Sequence, residues 1–223
     1  MSGHPGPAVP VGHVEPCPRR VRARLGGRIV VDTLDASYLW EHPWYPRWVL
    51  PAGDVDPVLQ AAVEHPAGAP AGTVGLPWSA ADAWFEEDEP VHVHPRSPYV
   101  RVDALRSRRH VRVELDGVVL AESDAPVLLF ETGLPTRAYL DLTAVDTTRL
   151  EPSDTRTACP YKGVTSRYWS VRTPAGRYDD LAWCYDHPAP AVARIAGLVA
   201  FYDERVDVVV DGVTGPRPTT HLA

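Results

Sequence analysis

The chain has 223 residues, of which 44% are apolar, so it can form one large or two small globular domains with cores of their own. Its 29 acidic residues exceed its 22 lysines and arginines, and the formal charge of −7 disfavours contact with the phosphate backbone of nucleic acids. Nowhere do eighteen apolar residues run together, so the sequence predicts no membrane-spanning helix and no membrane partner.

The first 18 residues are rich in proline and glycine and lack the continuous apolar stretch of a signal peptide, so we predict a flexible leader. The three cysteines are odd in number, and no two have the C-x-x-C spacing of a zinc knuckle. This pattern predicts a cytoplasmic protein in a reducing compartment, with no metal site and no cofactor. The sequence leaves the oligomeric state open.

The sequence repeats itself at an offset of 90 residues. Residues 21–27 align with residues 111–117 without a gap, and the same frame continues further along both halves. It places Glu41 on Glu131 and Arg47 on Arg137. We therefore predict two related domains in tandem, an N-terminal copy at 19–107 and a C-terminal copy at 108–212, followed by a flexible tail at 213–223.

The predicted elements are short strands with few helical turns. In chain order, a short helix is predicted at 58–63, and a hairpin at 111–121 opens the C-terminal copy around Asp116-Gly117, a pair that favours a type I′ turn. Further strands are predicted at 127–131, 137–140, 167–172, 178–185, 198–202 and 206–210, with a second short helix at 190–196. The 24 prolines disfavour long helices, so the predicted fold class is mainly β.

Five phrases of the second half carry a family resemblance. They are LFETG (129–133), LEPSD (150–154), CPYKG (159–163), YWSV (168–171) and IAGLVAFY (195–202). Together they resemble the domain-of-unknown-function family 427 (DUF-427) over residues 110–212, and the first half is similar to a diverged copy. The resemblance implies two tandem β-tent-like domains, each with two sheets leaning on one another around a cleft.

The resembled family also carries a nucleotidyltransferase-like label. This sequence has no Gly-Ser followed by paired aspartates that would hold two magnesium ions, and no Walker-type phosphate loop. Nucleotidyl transfer therefore stands only as an alternative function.

Cys159 and Lys162 are the leading candidates for chemistry. Cys159 lies in a turn-prone segment, where a nearby cation such as Lys162 or Arg156 would favour a nucleophilic thiolate. A buried small residue at the start of a strand is an equally good interpretation of this cysteine. Lys162 precedes Gly163, a combination that can receive the carboxylate or phosphate of a ligand, although a solvent-facing turn lysine is as common.

The third candidate for catalysis is Glu131, at the end of an apolar run. It is interpreted either as a general base at a cleft or as the ion-pair partner of Arg137, and the ion pair is the commoner case. The pairing gains weight because Glu41 and Arg47 recur at the same spacing in the N-terminal copy.

Aromatic residues of the C-terminal copy are candidates for the walls of a small-molecule pocket. Trp183 and Tyr185 should share one face, because alternate residues on a strand point the same way. The predicted ligand-binding set comprises Tyr161, Trp169, Trp183, Tyr185, Arg137 and Tyr139.

Function is predicted to reside in the C-terminal copy. The N-terminal copy has Ala-, Gly- and Pro-rich sequence between 58 and 81, where the C-terminal copy has Cys159, Lys162 and their neighbours, so it is interpreted as support. The leading hypothesis is binding of an anionic or polar-aromatic small molecule in a cleft. The alternatives are a cysteine-dependent enzyme using Cys159, the nucleotidyltransferase-like activity, and a purely structural or interaction protein.

Overall fold

The computed structural model describes Gly6 and residues 9–220. The chain divides after Val100 into two compact units, which we call the N-terminal unit and the C-terminal unit.

Within residues 9–100, the N-terminal unit has eight short strands in two antiparallel sheets. One sheet has the order β3-β2-β7-β8 and the other β1-β4-β5-β6. The strands are β1 (Val14–Pro16), β2 (Val21–Leu25), β3 (Arg28–Thr33), β4 (Ser37–Leu39), β5 (Arg47–Pro51), β6 (Thr73–Gly75), β7 (Ala83–Glu86) and β8 (Glu89–Val91). Three 3-10 turns connect them, at Ala52–Asp54, Pro57–Ala62 and Trp78–Ala80.

Within residues 101–220, the C-terminal unit adds further strands to a similar plan. Its sheets have the orders β11-β10-β20-β21, β13-β12-β9, β14-β17-β18-β19 and β15-β16. The strands are β9 (Val102–Arg106), β10 (Val111–Leu115), β11 (Val118–Ser123), β12 (Val127–Glu131), β13 (Arg137–Tyr139), β14 (Leu150–Ser153), β15 (Ala158–Cys159), β16 (Gly163–Val164), β17 (Arg167–Thr173), β18 (Gly176–Cys184), β19 (Val199–Phe201), β20 (Asp207–Val210) and β21 (Val213–Thr214). The 3-10 turns lie at Leu142–Ala144, Thr147–Arg149 and Pro190–Ile195. The mainly β class with short helices is confirmed.

The hairpin between β10 and β11 forms as predicted. Asp116 and Gly117 both have positive φ, of 53° and 72°, which is the type I′ geometry that matches the twist of the flanking strands. Gly26 and Gly27 adopt the same geometry between β2 and β3, with φ of 57° and 82°. Two glycines suit that turn because positive φ costs them little.

The strand registers of the two units coincide at an offset of 90 residues. In each unit, the register of the first hairpin shifts after the third residue of its first strand. The shift lies between Ala23 and Arg24 in the N-terminal unit and between Val113 and Glu114 in the C-terminal unit. The pairs Arg22–Asp32, Tyr38–Trp48 and Leu39–Arg47 of the N-terminal unit correspond to Arg112–Glu122, Leu128–Ala138 and Leu129–Arg137 of the C-terminal unit.

Alternation along β17 and β18 divides the C-terminal core into two clusters. Tyr168 and Trp183 pack into one cluster together with Tyr139. Trp169 and Cys184, their neighbours in sequence, pack into the other. The two faces of the β17–β18 pair therefore pack against different clusters, because successive side chains of a strand point to opposite sides of the sheet.

The folded region is wider than predicted at both ends. The predicted leader is wrong for residues 9–18, because β1 pairs with β4 and Cys17 is buried. The predicted tail is wrong at its start, because β21 pairs with β20 and Arg217 Nε donates to Asp207 at 2.9 Å. Both segments are short edge strands, which lack the length that makes a strand visible in a sequence. Residues 1–5, 7–8 and 221–223 lie outside the described part of the chain.

None of the described helical turns is long or apolar enough to cross a bilayer.

Candidate functional site

A three-residue turn presents Lys162 in the C-terminal unit. Cys159 on β15 pairs with Gly163 on β16, and the residues between them form the turn. Gly163 has a φ of +97°, a conformation that favours glycine, and the Lys162 carbonyl accepts a hydrogen bond from the backbone N–H of Ala189 at 2.9 Å. The turn is therefore fixed at both its ends.

Lys162 forms a buried ion pair with Glu131. Its Nζ donates to Oε2 of Glu131, and the two side chains are only 12% and 9% exposed. Burial by itself lowers the pKa of the ammonium, but the charge of Glu131, followed by Cys159 and Tyr139, raises the pKa of Lys162 well above its usual value. Lys162 is thus a stable cation surrounded by protein.

The pairing of Glu131 corrects the prediction that it would bind Arg137. In the N-terminal unit the equivalent residues do pair, with Arg47 Nη1 donating to Glu41 at 3.1 Å. In the C-terminal unit the segment that contains Lys162, which has no counterpart in the other unit, supplies a different cation for Glu131. Arg137 turns to other partners.

Arg137 is surrounded by acidic and aromatic side chains. Its side chain is 8% exposed and forms ion pairs with Asp203 at 3.4 Å and Glu204 at 3.0 Å. Its guanidinium carbon lies 5.2 Å from the ring centroid of Trp183 and 5.8 Å from that of Tyr202. The planar guanidinium therefore contacts two carboxylates and two aromatic rings, a set of contacts that a lysine would reproduce poorly.

Asp203 has an unusual protonation equilibrium. Burial raises the pKa of this carboxyl from 3.8 to about 6, although the charge of Arg137 lowers it. Between pH 3.8 and about 6 the folded protein therefore holds a proton that the unfolded chain has released. The stabilising effect of that proton is complete below pH 3.8 and disappears as the pH rises through about 6.

We predict that Asp203→Asn stabilises the protein at pH 7.5 by up to about 3 kcal/mol, the amount that corresponds to the raised pKa. The gain should be much smaller at pH 4, where the carboxyl is already neutral in the folded state. Urea unfolding of the intact chain at both pH values measures it. Asp124→Asn, which changes an exposed carboxylate, is the matched control; an equal gain at both pH values would contradict the assignment.

Two buried tyrosines complete the surroundings of Lys162. Burial raises the pKa of Tyr139 to about 12, while the nearby charge of Lys162 lowers it. Burial also raises the pKa of Tyr185, whose phenol interacts with Tyr139, Lys162 and Cys159. Both phenols are therefore neutral donors at physiological pH.

Cys159 differs from the other cysteines in its accessibility. It is partly exposed, whereas Cys17 and Cys184 are buried. Burial raises the pKa of Cys184 to about 11 and also raises the pKa of Cys17. Cys159 is thus the thiol that a reagent or ligand can reach most directly.

Most predicted site residues share one neighbourhood, which we call the Lys162 cluster. It contains Cys159, Lys162, Glu131, Tyr139, Tyr185, Trp183 and Arg137, which are linked by the ion pair and by electrostatic contacts centred on Tyr139 and Lys162. Trp169 is separate, because it packs on the other face of β17 with its ring 5.4 Å from the guanidinium of Arg167. Tyr161 lies half-buried within the turn.

Sequence reasoning missed several polar partners. A chain of hydroxyls runs from Thr157 through Tyr168 to Tyr202, with 3.0 Å at each step. Strand register offered one signal, since β17 pairs Tyr168 with Trp183 and so places Tyr168, not Trp169, on the cluster's side. Composition offered another signal. Lys162 is the only lysine in the sequence, and all the other residues counted as lysine or arginine are arginines.

Among residues 9–220, no group of three or more histidine, cysteine, aspartate or glutamate side chains is arranged to hold a metal ion.

Fold and site together define a mainly β protein of two units, with a buried polar and aromatic cluster in the second. A family model described as "Domain of unknown function (DUF427)" matches residues 13–70 and 103–212. The chain belongs to that family. No curated protein matches the chain.

Proposed function

We propose that the C-terminal unit binds a small polar-aromatic molecule at the Lys162 cluster. The observation that carries this proposal is the identity of the buried cation. Lys162 is the only lysine in the sequence, whereas all the other long cationic side chains are arginines. This one lysine forms a nearly buried ion pair with Glu131. Because the desolvation cost of a buried pair often exceeds its attraction, stability alone is a poor reason to keep it.

The chemistry of the ammonium explains why arginine would not serve. An ammonium is compact, has three rotatable donors and can turn from Glu131 to a ligand oxygen, whereas a guanidinium needs a planar partner. Since Glu131 already offsets the charge, a polar-aromatic ligand fits better than a simple anion. Tyr185 and Tyr139 offer neutral donors beside it.

Native mass spectrometry of the intact chain purified from its own host tests this function. We expect a bound small molecule with the wild-type chain, retained by Arg177→Met on the exposed face of β18 and lost from Lys162→Arg, which keeps the charge and removes the ammonium. Circular dichroism confirms that each variant is folded. Equal occupancy in folded Lys162→Arg, or no bound molecule in the wild type, would sink the proposal.

A second candidate function, cysteine-dependent chemistry, is favoured by the position of Cys159. Its thiol is partly exposed and close enough to the Lys162 ammonium for the two groups to interact electrostatically. In such a reaction the sulfur forms a bond to an electrophilic carbon, and the displaced group leaves with the bonding electrons.

Iodoacetamide labelling checks this candidate directly. At pH 7.5 we expect Cys159 to be alkylated, with release of iodide, about a hundredfold faster than Cys184, whose buried thiol is almost entirely protonated. Peptide mapping of the intact, folded chain over time gives both rates. Lys162→Met should slow the Cys159 reaction, and a rate indifferent to that change would leave the cysteine as a bystander.

We also propose that the two units arose from one ancestral domain. The shared strand registers at an offset of 90 residues support it, as does the family model that matches in both halves. On this view the segment of 150–185 is what distinguishes the unit with the Lys162 cluster.

A further inference from the structure

The N-terminal unit contains a cavity of 240 Å³ that the sequence did not predict. Its aromatic lining consists of Tyr45, Trp48, Trp78 and Trp84. Its polar lining includes Arg47 and Glu64, with His94 at one side. Its volume lies just below that of typical small-molecule pockets, so it suits a molecule of one or two rings.

Three tryptophans form one wall of the cavity. The ring centroids of Trp48, Trp78 and Trp84 are 5.4 to 5.8 Å apart, with interplanar angles of 25° to 37°. The indole N–H of Trp84 donates to the Trp78 carbonyl at 2.9 Å, which fixes the arrangement. Rings this close leave no room between them, so a ligand would lie against the wall by stacking.

The wall carries a hydrogen-bond donor that lacks a protein partner. Nε1 of Trp48 is buried, and among the described residues no acceptor lies within hydrogen-bonding distance of it. Nε of the adjacent Arg47 is in the same condition. Burying a donor without a partner is costly, and buried indole N–H groups usually find one. Because this nitrogen is also closed off from solvent, an acceptor atom on a bound molecule would reach it only after a small rotation of the Trp48 ring, and Trp48 lines the cavity.

The charges around the cavity argue against an anion. Arg47 is the main cation of the lining, and it already forms ion pairs with Glu41 at 3.1 Å and Glu64 at 2.5 Å. Two carboxylates facing one guanidinium leave no positive charge for an anionic ligand. An uncharged molecule would avoid the repulsion between an anionic ligand and the carboxylates of Glu41 and Glu64.

We infer that the N-terminal unit binds an uncharged, planar heteroaromatic molecule of one or two rings, stacked on the tryptophan wall, with a carbonyl or ring-nitrogen acceptor toward Trp48. This site is separate from the Lys162 cluster and goes beyond the function proposed for it. It also gives the N-terminal unit a role other than support.

Isothermal titration and ligand-observed NMR of the intact chain test the inference with three probes of similar size. They are 2-quinolone, which is uncharged and has a carbonyl, 2-naphthoate, which is an anion, and naphthalene, which has no acceptor. We expect saturable binding of 2-quinolone at one site, with at least tenfold weaker binding of the other two.

Variants locate the site. Trp48→Phe keeps a ring and removes the donor, and we expect it to weaken 2-quinolone binding about tenfold. Trp78→Ala should weaken it further by removing part of the wall. Trp44→Phe changes a tryptophan that is half exposed and outside the lining, and it should leave binding unchanged. Because Trp48→Phe is conservative, it keeps the test valid if Trp78→Ala fails to fold.

The outcomes separate this inference from the proposed function. Lys162→Met should leave 2-quinolone binding unchanged, and Trp48→Phe should leave iodoacetamide labelling of Cys159 unchanged. The inference is overturned if folded wild-type protein shows no saturable binding of 2-quinolone, if 2-naphthoate binds as tightly, or if Trp48→Phe has no effect.

Discussion

Arg137→Met is expected to destabilise the C-terminal unit by about 3 to 5 kcal/mol, the usual cost of removing one partner from a buried ion pair. The change leaves Asp203 and Glu204 without their cation, although both side chains are nearly buried. It also removes the donor that Nη1 gives to the Phe201 carbonyl at 2.6 Å. Urea unfolding of the intact chain, followed by circular dichroism, measures the loss.

The pH dependence of that loss carries additional information. Below about pH 6 Asp203 can take up a proton, so the missing cation should matter less at pH 5 than at pH 7.5. Arg177→Met, which removes an exposed arginine that pairs with Glu151, is the matched control and should change stability little. A small loss for Arg137→Met at pH 7.5 would show that the carboxylates are solvated.

The buried pair of Lys162 and Glu131 should give the second large effect. Glu131→Gln and Lys162→Met each leave one charged group buried without its partner, and each is expected to cost about 3 kcal/mol. The double variant should cost about 2 kcal/mol less than the sum, because it removes both charges together. Unfolding free energies of all four forms complete the double-mutant cycle.

The exposed pair of the N-terminal unit provides a comparison for that cycle. Glu41 is half exposed, and in the variant Glu41→Gln the side chain of Arg47 still pairs with Glu64. The coupling energy between Glu41 and Arg47 should therefore be only about 0.2 to 1 kcal/mol. Because the pKa of Lys162 is raised above 10.5, its contribution is lost only as the pH rises beyond that value. The coupling energy measured by the cycle should therefore be the same from pH 6 to pH 9. A coupling energy near zero would contradict an ion pair that is buried away from water.

The two proposed sites differ in the physical basis of recognition. The Lys162 cluster offers charge, a partly exposed thiol and two neutral phenols. The tryptophan cavity offers an apolar aromatic wall and the unpartnered indole N–H of Trp48. We therefore expect a molecule that binds one site to bind the other weakly, and a variant at one site to leave binding at the other unchanged.

The sequence by itself determined the elements whose cause is local. Asp116-Gly117 predicts the β10–β11 hairpin because that pair accepts positive φ, and alternation predicts that Trp183 and Tyr185 face the same core. Family membership was likewise available from the phrases around Lys162, since it depends on which residues occur and not on where they point.

Only the tertiary structure decided the partners of the charged side chains. Glu131 and Arg137 are six residues apart and recur as Glu41 and Arg47, yet one pair forms and the other does not. The outcome depends on Lys162, which is 31 residues away from Glu131 and reaches it through a turn fixed against Ala189. The tryptophan cavity arises in the same way, from rings on three separate segments, because packing space is a property of the fold and not of any stretch of sequence.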